Sequence, residues 1–332
     1  MSLKIIFFDA KPYDESSFNN VNLKFGFELS YFKEHLSINN VMLTKGMDVA
    51  CIFVNAVVDK QVINQLVANG VKLIALRCAG FNNVDLNAAK DRIKVVRVPA
   101  YSPYAVAEHT LALMLTLNRK IHKAYNRTRE GNFALNGLMG FDMHGKTAGI
   151  IGTGKIAKIL IKTLRSMGMK VLAFDVYPDF EFAKQNEIEY TTLDNLYKNS
   201  DIISLHCPLN KDTEYIINEN AIAKMKDGVM IINTGRGKLI KTSALIQGLK
   251  SKKIGAAGLD VYEEESAYFF EDRSNRVMDD DVLARLLSFN NVIVTSHQAF
   301  FTKEALENIA LTTMQNIQDF NDNKVLVNEV SI

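Results

Sequence analysis

Short apolar runs recur along the chain, and the stretches between them carry apolar residues at helical spacing. In the first hundred residues the runs are 4–8, 49–54, 73–77 and 95–98. Between the second and third of these, residues 59–68 place Val62, Ile63, Leu66 and Val67 at helical intervals. Short apolar strands alternating with helices predict a parallel sheet covered on both faces. From residue 147 the alternation starts again. Runs at 147–151, 170–174, 202–205, 229–233, 256–260 and 292–295 predict six strands, as many as a complete doubly wound dinucleotide fold holds. Residues 303–319 read as a terminal helix, followed by a turn at 321–323.

Two segments break this rhythm. Pro99 and Pro103 bracket Ala100, Tyr101 and Ser102. A proline at each end fixes φ and stops helix propagation, so a stiff connector between domains is expected here. Residues 106–117 are apolar nearly all round, which predicts a helix buried between elements or between subunits. The 332 residues exceed the length at which one core stops growing, roughly 250–300, so two domains are expected. No run approaches the ~18 consecutive apolar residues of a membrane span. The first run ends at Asp9 and falls short of the ~7–15 apolar residues of a secretory signal.

Composition narrows the function. Hydrophobic residues at 48% and charged residues at 23% exclude a disordered chain. Lys and Arg number 39 against 37 Asp and Glu, a net +2 that argues against nucleic acid as partner. Cys51, Cys78 and Cys207 lie far apart without a CxxC pair. That argues against a disulfide scaffold and a structural zinc site, and suits a reducing, cytoplasmic setting. No ligand cluster suggests a metal.

After the apolar run 147–151 comes Gly152-Thr153-Gly154-Lys155-Ile156-Ala157, then a helical pattern. In a G-x-G-x-x-A turn the first glycine permits the tight bend, and the second lets the backbone approach a pyrophosphate. The third small residue allows close helix–strand packing. The next run ends in Asp175, 23 residues after Gly152, where a carboxylate accepts hydrogen bonds from the adenosine ribose. Val176, Tyr177 and Pro178 follow, with no cation for a 2′-phosphate, so NAD is expected rather than NADP.

Three ionisable residues follow later runs: Arg236, Glu265 and His297. In an open parallel sheet ligands bind outside the carboxyl ends of the strands, so all three can converge beside a nicotinamide. Arg pairs a carboxylate with two parallel hydrogen bonds. His exchanges a proton near neutrality, and a neighbouring carboxylate orients it. Singly, each also has a plain structural reading: a surface ion pair, a solvated acid, a core histidine.

The chain resembles the D-isomer-specific 2-hydroxyacid dehydrogenases over essentially its whole length, and within them the branch that reduces pyruvate. The resemblance rests on Arg77-Cys78-Ala79-Gly80-Phe81-Asn82-Asn83-Val84-Asp85 and on Val98-Pro99-Ala100-Tyr101-Ser102-Pro103 followed by Ala107-Glu108-His109. It continues through residues 152–156, Ser204-Leu205-His206-Cys207-Pro208, 233–237, 258–265 and 297–302. It implies an α/β protein of two doubly wound parallel-sheet domains. One is a Rossmann-type NAD domain, about 101–298; the other is a flavodoxin-like substrate domain, about 1–100 with 299–332, with hinges near Tyr101 and His297. It also implies reversible hydride transfer between NAD and a small D-2-hydroxy acid, pyruvate being the expected 2-oxo partner. A bulkier 2-oxo acid is the nearby alternative. An NAD-responsive binding protein like the corepressors of this fold is the distant one.

The roles it implies are as follows. Arg236 binds the substrate carboxylate and polarises its carbonyl, His297 is the acid/base, and Glu265 is its partner. Backbone groups of Cys78, Ala79, Gly80 and Phe81 hold the carboxylate, and Tyr101 touches the substrate. Phe300 stands where many members carry tyrosine, so it brings no hydroxyl to the substrate. Gly152, Thr153, Gly154, Lys155 and Ile156 meet the pyrophosphate and Asp175 the ribose. His206, Cys207, Pro208 and Thr213 line the cofactor, and Thr234, Gly235 and Asp260 position its nicotinamide end. A homodimer through residues 106–117 is expected, with a homotetramer as the alternative. His109 is expected to pack or to touch a second subunit. Between Asp260 and Asp281 nine acidic residues face only Arg273 and Arg276. This stretch reads either as a solvated loop or as a flank carrying Glu265, with Tyr268, Phe269 and Phe270 covering the site.

Overall fold

The computed structural model describes residues 2–264 and 268–330. Glu265 therefore lies outside the described residues. The chain divides into two compact units, Met1–Ser102 with Phe301–Ile332, and Pro103–Phe300.

The first unit opens with β1 (Lys4–Phe7), α1 (Pro12–Asn22), β2 (Glu28–Tyr31), β3 (Val49–Ile52) and α2 (Lys60–Ala68). It goes on with β4 (Leu73–Leu76), α3 (Leu86–Ala89) and β5 (Lys94–Val96). The second begins with α4 (Pro103–Arg119), α5 (Ile121–Arg129), β6 (Thr147–Ile151), α6 (Lys155–Ser166) and β7 (Lys170–Phe174). Then come α7 (Phe180–Asn186), β8 (Glu189–Tyr190), α8 (Leu193–Asn199), β9 (Ile202–Leu205), α9 (Glu219–Lys224) and β10 (Val229–Asn233). It closes with α10 (Thr242–Lys250), β11 (Ile254–Leu259), α11 (Asp281–Leu287) and β12 (Val292–Val294). The last helix, α12 (Lys303–Asn321), belongs to the first unit.

Every strand pair in the first sheet is parallel, in the order β2-β1-β3-β4-β5. This is the flavodoxin-like order, whose direction of winding reverses between β1 and β3. Its inner strands are buried throughout: all four residues of β3 and all four of β4 are out of solvent. At ~1.5–3 kcal/mol per buried branched side chain, such runs drive the pairing. The helices begin on polar side chains. Asp59 accepts from the Val62 N–H to cap α2, and Thr302 accepts from the Ala305 N–H to cap α12.

The second sheet is also parallel throughout and has seven strands, β12-β11-β10-β9-β6-β7-β8. Its winding reverses at β6, so a crevice opens beyond the carboxyl ends of β6 and β9. The seventh strand, β8, has only two residues, one exposed, so no apolar run announces it. The apolar stretch 106–117 is accounted for inside this unit. Ala107, Leu113, Met114 and Leu117 are buried with Ile150, Leu160 and Ile232, and Leu111 and Leu115 pack against the same core. Much of this apolarity is thus taken up by packing of the helix against β10, β11 and α6.

Candidate active site

The turn after β6 fits a dinucleotide. Gly152 has φ +89°, and a Cβ there would sit 2.5 Å from the Cys207 nitrogen in the loop after β9, so only glycine fits. Gly154 is the N-cap of α6, and no side chain caps that helix. A Cβ on Gly154 would meet no protein atom within 4 Å. The first-turn N–H groups of α6 therefore face open space with the helix dipole behind them, an arrangement suited to a pyrophosphate. Ala157 is fully buried, where its small side chain lets α6 pack on the sheet.

Asp175 follows β7. Its carboxylate accepts from the Thr153 N–H at 2.6 Å, the Thr153 hydroxyl at 2.9 Å and the Tyr177 N–H at 2.9 Å. Burial opposes its charge, but these donors outweigh burial and hold its pKa below the ordinary carboxylate value. The Tyr190 hydroxyl donates to Thr153 at 2.8 Å. Thr153 is itself buried, so its side chain orients the carboxylate. An ionised, half-exposed acid at this place can accept from ribose hydroxyls.

The loop after β9 carries His206, Cys207, Pro208 and Thr213. The His206 imidazole lies 2.8 Å from the Ser204 hydroxyl, and burial lowers its pKa to about 4, keeping it neutral. Burial also raises the Cys207 thiol to about 11, so it is no nucleophile. The Thr213 hydroxyl donates to the Pro208 carbonyl at 2.6 Å and closes the loop.

Arg236 follows β10. The Asn233 amide donates to the Arg236 carbonyl, and its oxygen accepts from the Gly235 N–H, so one buried side chain shapes the turn. A Cβ on Gly237 would collide with the Tyr262 carbonyl, which lets the Arg236 loop lie directly on the backbone after β11. The guanidinium donates to the Gly235 carbonyl at 2.8 Å. It forms no ion pair with a carboxylate among the described residues, and its charge is available to an anion.

Asp260 follows β11 and His297 follows β12. The fully buried Asp260 carboxylate accepts from the Thr295 hydroxyl at 2.5 Å and from the Gln298 and Ala299 N–H groups at 2.9 Å. Its backbone carbonyl accepts from the His297 N–H at 2.8 Å. His297 has φ +54°, a left-handed conformation costly outside glycine, which these bonds impose. The Phe270 ring lies 5.7 Å from the imidazole. Of the three adjacent aromatics this is the one at the site: Phe269 is buried in the core, and Tyr268 accepts from the Asp279 N–H.

In the first unit, the loop after β4 holds Cys78, Ala79, Gly80 and Phe81. The Ala79 carbonyl accepts from Arg97 at 2.8 Å, and the Arg97 guanidinium lies over the Phe81 ring at 5.0 Å. The N–H groups of Ala79, Gly80 and Phe81 find no acceptor among the described residues. Successive free N–H groups make a nest for an anion. The Tyr101 carbonyl accepts from Asn308 of α12 at 2.8 Å. Phe300, at the end of the second unit, is buried.

Sequence reasoning missed several supports. His109 does more than pack, because its Nε2 lies 3.2 Å from the Thr295 hydroxyl and 3.4 Å from the Asp260 carboxylate. Thr110 meets Thr234 at 2.9 Å. Within the acidic stretch, Glu263 is not a solvated charge. It accepts from the Tyr215 hydroxyl and from the Thr242 N–H at the start of α10, anchoring the backbone two residues before Glu265. Arg97 supports the 78–81 loop.

The class these features define is an NAD-dependent oxidoreductase of doubly wound architecture. The family described as D-isomer specific 2-hydroxyacid dehydrogenase, NAD binding domain, matches residues 111–299. The D-lactate dehydrogenase of Escherichia coli K12 is 50% identical over 329 residues, covering 99% of this chain and 100% of that one. The apo structure of D-lactate dehydrogenase from Escherichia coli superposes with TM-score 0.91 at 48% identity, covering 99% and 100%. The pyruvate reductase of Chlamydomonas reinhardtii superposes with TM-score 0.94 at 43% identity, covering 98% of each. The chain belongs to the D-isomer-specific 2-hydroxyacid dehydrogenase family.

Proposed function

We propose that this chain catalyses the reversible reduction of pyruvate to D-lactate with NADH. The observation that carries the reading is the placement of Arg236 and His297. Both sit on braced loops at the carboxyl ends of the NAD-binding sheet, and the arginine has no carboxylate partner among the described residues. The full-length likeness to a D-lactate dehydrogenase and to a pyruvate reductase supports the substrate.

The free N–H groups of Lys155 and Ile156 hold the pyrophosphate, and Asp175 takes the adenosine ribose. Thr234 and Asp260 lie toward the nicotinamide end. When bound, the dinucleotide supplies the hydride to the carbonyl carbon, or takes it back. Arg236 pairs the substrate carboxylate and draws charge onto the carbonyl oxygen. Protonated His297 gives its proton to that oxygen, and Glu265 orients the imidazole. The nest of Ala79, Gly80 and Phe81 suits a carboxylate, and on this reading Met1–Ser102 with Phe301–Ile332 is the substrate domain and Pro103–Phe300 the NAD domain. Tyr101 and Phe300 bound the substrate. A homodimer belongs to the same reading. Its support is the exposed apolar set Ile121, Tyr125, Phe133, Leu135 and Met139, which lies beyond α4. A cytoplasmic location is supported by the three separated free thiols.

The test is loss of NADH absorbance on adding pyruvate, run beside phenylpyruvate and 2-oxoisocaproate, with chiral analysis of the product. D-lactate as product, with pyruvate the best substrate, is expected. Preference for a larger acid would move the reading to the bulkier branch. NADH binding without turnover of any 2-oxo acid would favour a binding protein. His297→Ala is expected to lower turnover by ~10²–10⁴ while NADH still binds.

A further inference from the structure

We propose that His109 is a positioning residue for proton transfer: from α4, through Asp260, it fixes the backbone from Thr295 to Ala299 that carries His297. The inference rests on the reading of His297 as proton donor.

A carboxylate without solvent contact is stable only when its lone pairs are met. Asp260 is 0% exposed. Three of its donors, the Thr295 hydroxyl and the Gln298 and Ala299 N–H groups, belong to the loop it restrains. His109 is its one side-chain partner from outside that loop among the described residues. Its Nε2 reaches both the Thr295 hydroxyl at 3.2 Å and the Asp260 carboxylate at 3.4 Å. An ionised carboxylate only accepts, so the tautomer is dictated: Nε2 carries the hydrogen. Burial alone would neutralise Asp260, but His109, Thr295 and the two N–H groups together keep it ionised. The left-handed His297 backbone persists because Asp260 holds it on both sides, by its carbonyl and by its carboxylate.

The next residue of α4 does the matching work for Arg236. The Thr110 hydroxyl donates to the Val106 carbonyl at 2.7 Å, so toward Thr234 it accepts. Thr234 lies two residues before Arg236. Two consecutive residues of one helix therefore hold the two loops that carry the anion-binding and proton-transferring groups. The spacing between those groups is set from behind the sheet ends, without either residue touching a reactant.

The experiment compares His109→Leu with His109→Gln, whose Nε2 can still donate. Steady-state kcat and KM for pyruvate, the NADH dissociation constant and the melting temperature are measured for each. His109→Leu is expected to lower kcat roughly 10-fold or more, with NADH affinity within about twofold of the parent. His109→Gln is expected to recover kcat to within about threefold, since it keeps the donor. Thr295→Val removes the hydroxyl shared by His109 and Asp260 at constant shape, and the same selective fall in kcat is expected; it serves if the leucine variant does not fold. Unchanged kcat in His109→Leu or Thr295→Val overturns the proposal. So does a loss that glutamine fails to rescue, or one matched by equal loss of NADH binding. His297→Ala is run alongside. Full turnover there would overturn the reading of the site itself, whereas its inactivity beside a fully active His109→Leu would overturn only the role of His109.

Discussion

In each unit a charged side chain is buried beneath the loop assigned to the substrate, and the two have opposite signs, although the first unit also buries Asp9 and Asp14. In the first unit it is Arg77, one residue before the 78–81 loop. Its guanidinium donates to the carbonyls of Phe8 and Asp9 and pairs with Asp14 at 3.4 Å. Burial works against its charge, but Asp14 and Asp9 more than restore it. In the second unit it is Asp260. The loops above them use their backbones in contrary ways. Residues 79–81 are tied by carbonyls, leaving their N–H groups unused. Residues 297–299 turn their N–H groups inward onto Asp260. On the proposed reading one loop offers its backbone as the ligand, with Arg77 beneath it, and the other turns its backbone inward and offers a side chain as the reagent, with Asp260 beneath it.

The most demanding test of that contrast is Arg77→Met. Removing one member of a buried pair strands the other, and a loss of about 3–5 kcal/mol is expected in urea unfolding. A loss under ~1 kcal/mol would show that the cation is incidental to the first unit. Next, Asp175→Ala should raise the NADH dissociation constant about 10-fold, one charged hydrogen-bonding group being worth ~1.5 kcal/mol, and leave the pyruvate KM at saturating NADH near the parent value. Arg97→Met loosens only the nest. A roughly fivefold rise in pyruvate KM, about 1 kcal/mol, is expected with NADH affinity unchanged; an effect on NADH instead would break the division of labour.

The smallest effect tests whether the second unit tolerates added positive charge near its sheet ends. The His206 pKa is lowered from 6.5 to about 4 by burial. The unfolded chain therefore takes up a proton that the folded chain refuses, and stability present at neutral pH is lost as pH falls through that window. About 1 kcal/mol between pH 7 and pH 5.5 is the expected share. His206→Asn should flatten the acid slope of the unfolding midpoint by that amount.

Both parallel sheets were legible because their inner strands are apolar on both faces: β3, β4, β9 and β10 are wholly buried. The edge strand β2 reads Glu-Leu-Ser-Tyr with no residue fully buried, and α1 buries only Asp14, Phe18 and Val21, so neither makes a pattern. The glycine turn and Asp175, which the structure joins through Thr153, could be read together because one β-α-β segment contains them. His109 could not, since its partner Thr295 is 186 residues away and its own surroundings are apolar helix. Glu263 was hidden among other acids, and its partner Tyr215 lies 48 residues upstream. Local motifs announce what binds; the residues that brace them are distant in sequence and carry no spacing of their own.

The placement of α12 has a consequence for how the protein is made. This helix packs against α1 and β4, its Asn316 donates to the Arg97 carbonyl, and Val96 bridges to Glu329 just beyond it. During synthesis the unit Pro103–Phe300 is complete in sequence before its predecessor. Residues 1–102 must wait for residues 301–332 before their sheet is covered. The newborn chain thus passes through a stage with a finished NAD domain joined to an uncovered β1–β5 sheet. A stalled or shortened transcript ending near residue 300 should yield a protein that binds the dinucleotide, exposes apolar strand surface and draws chaperones.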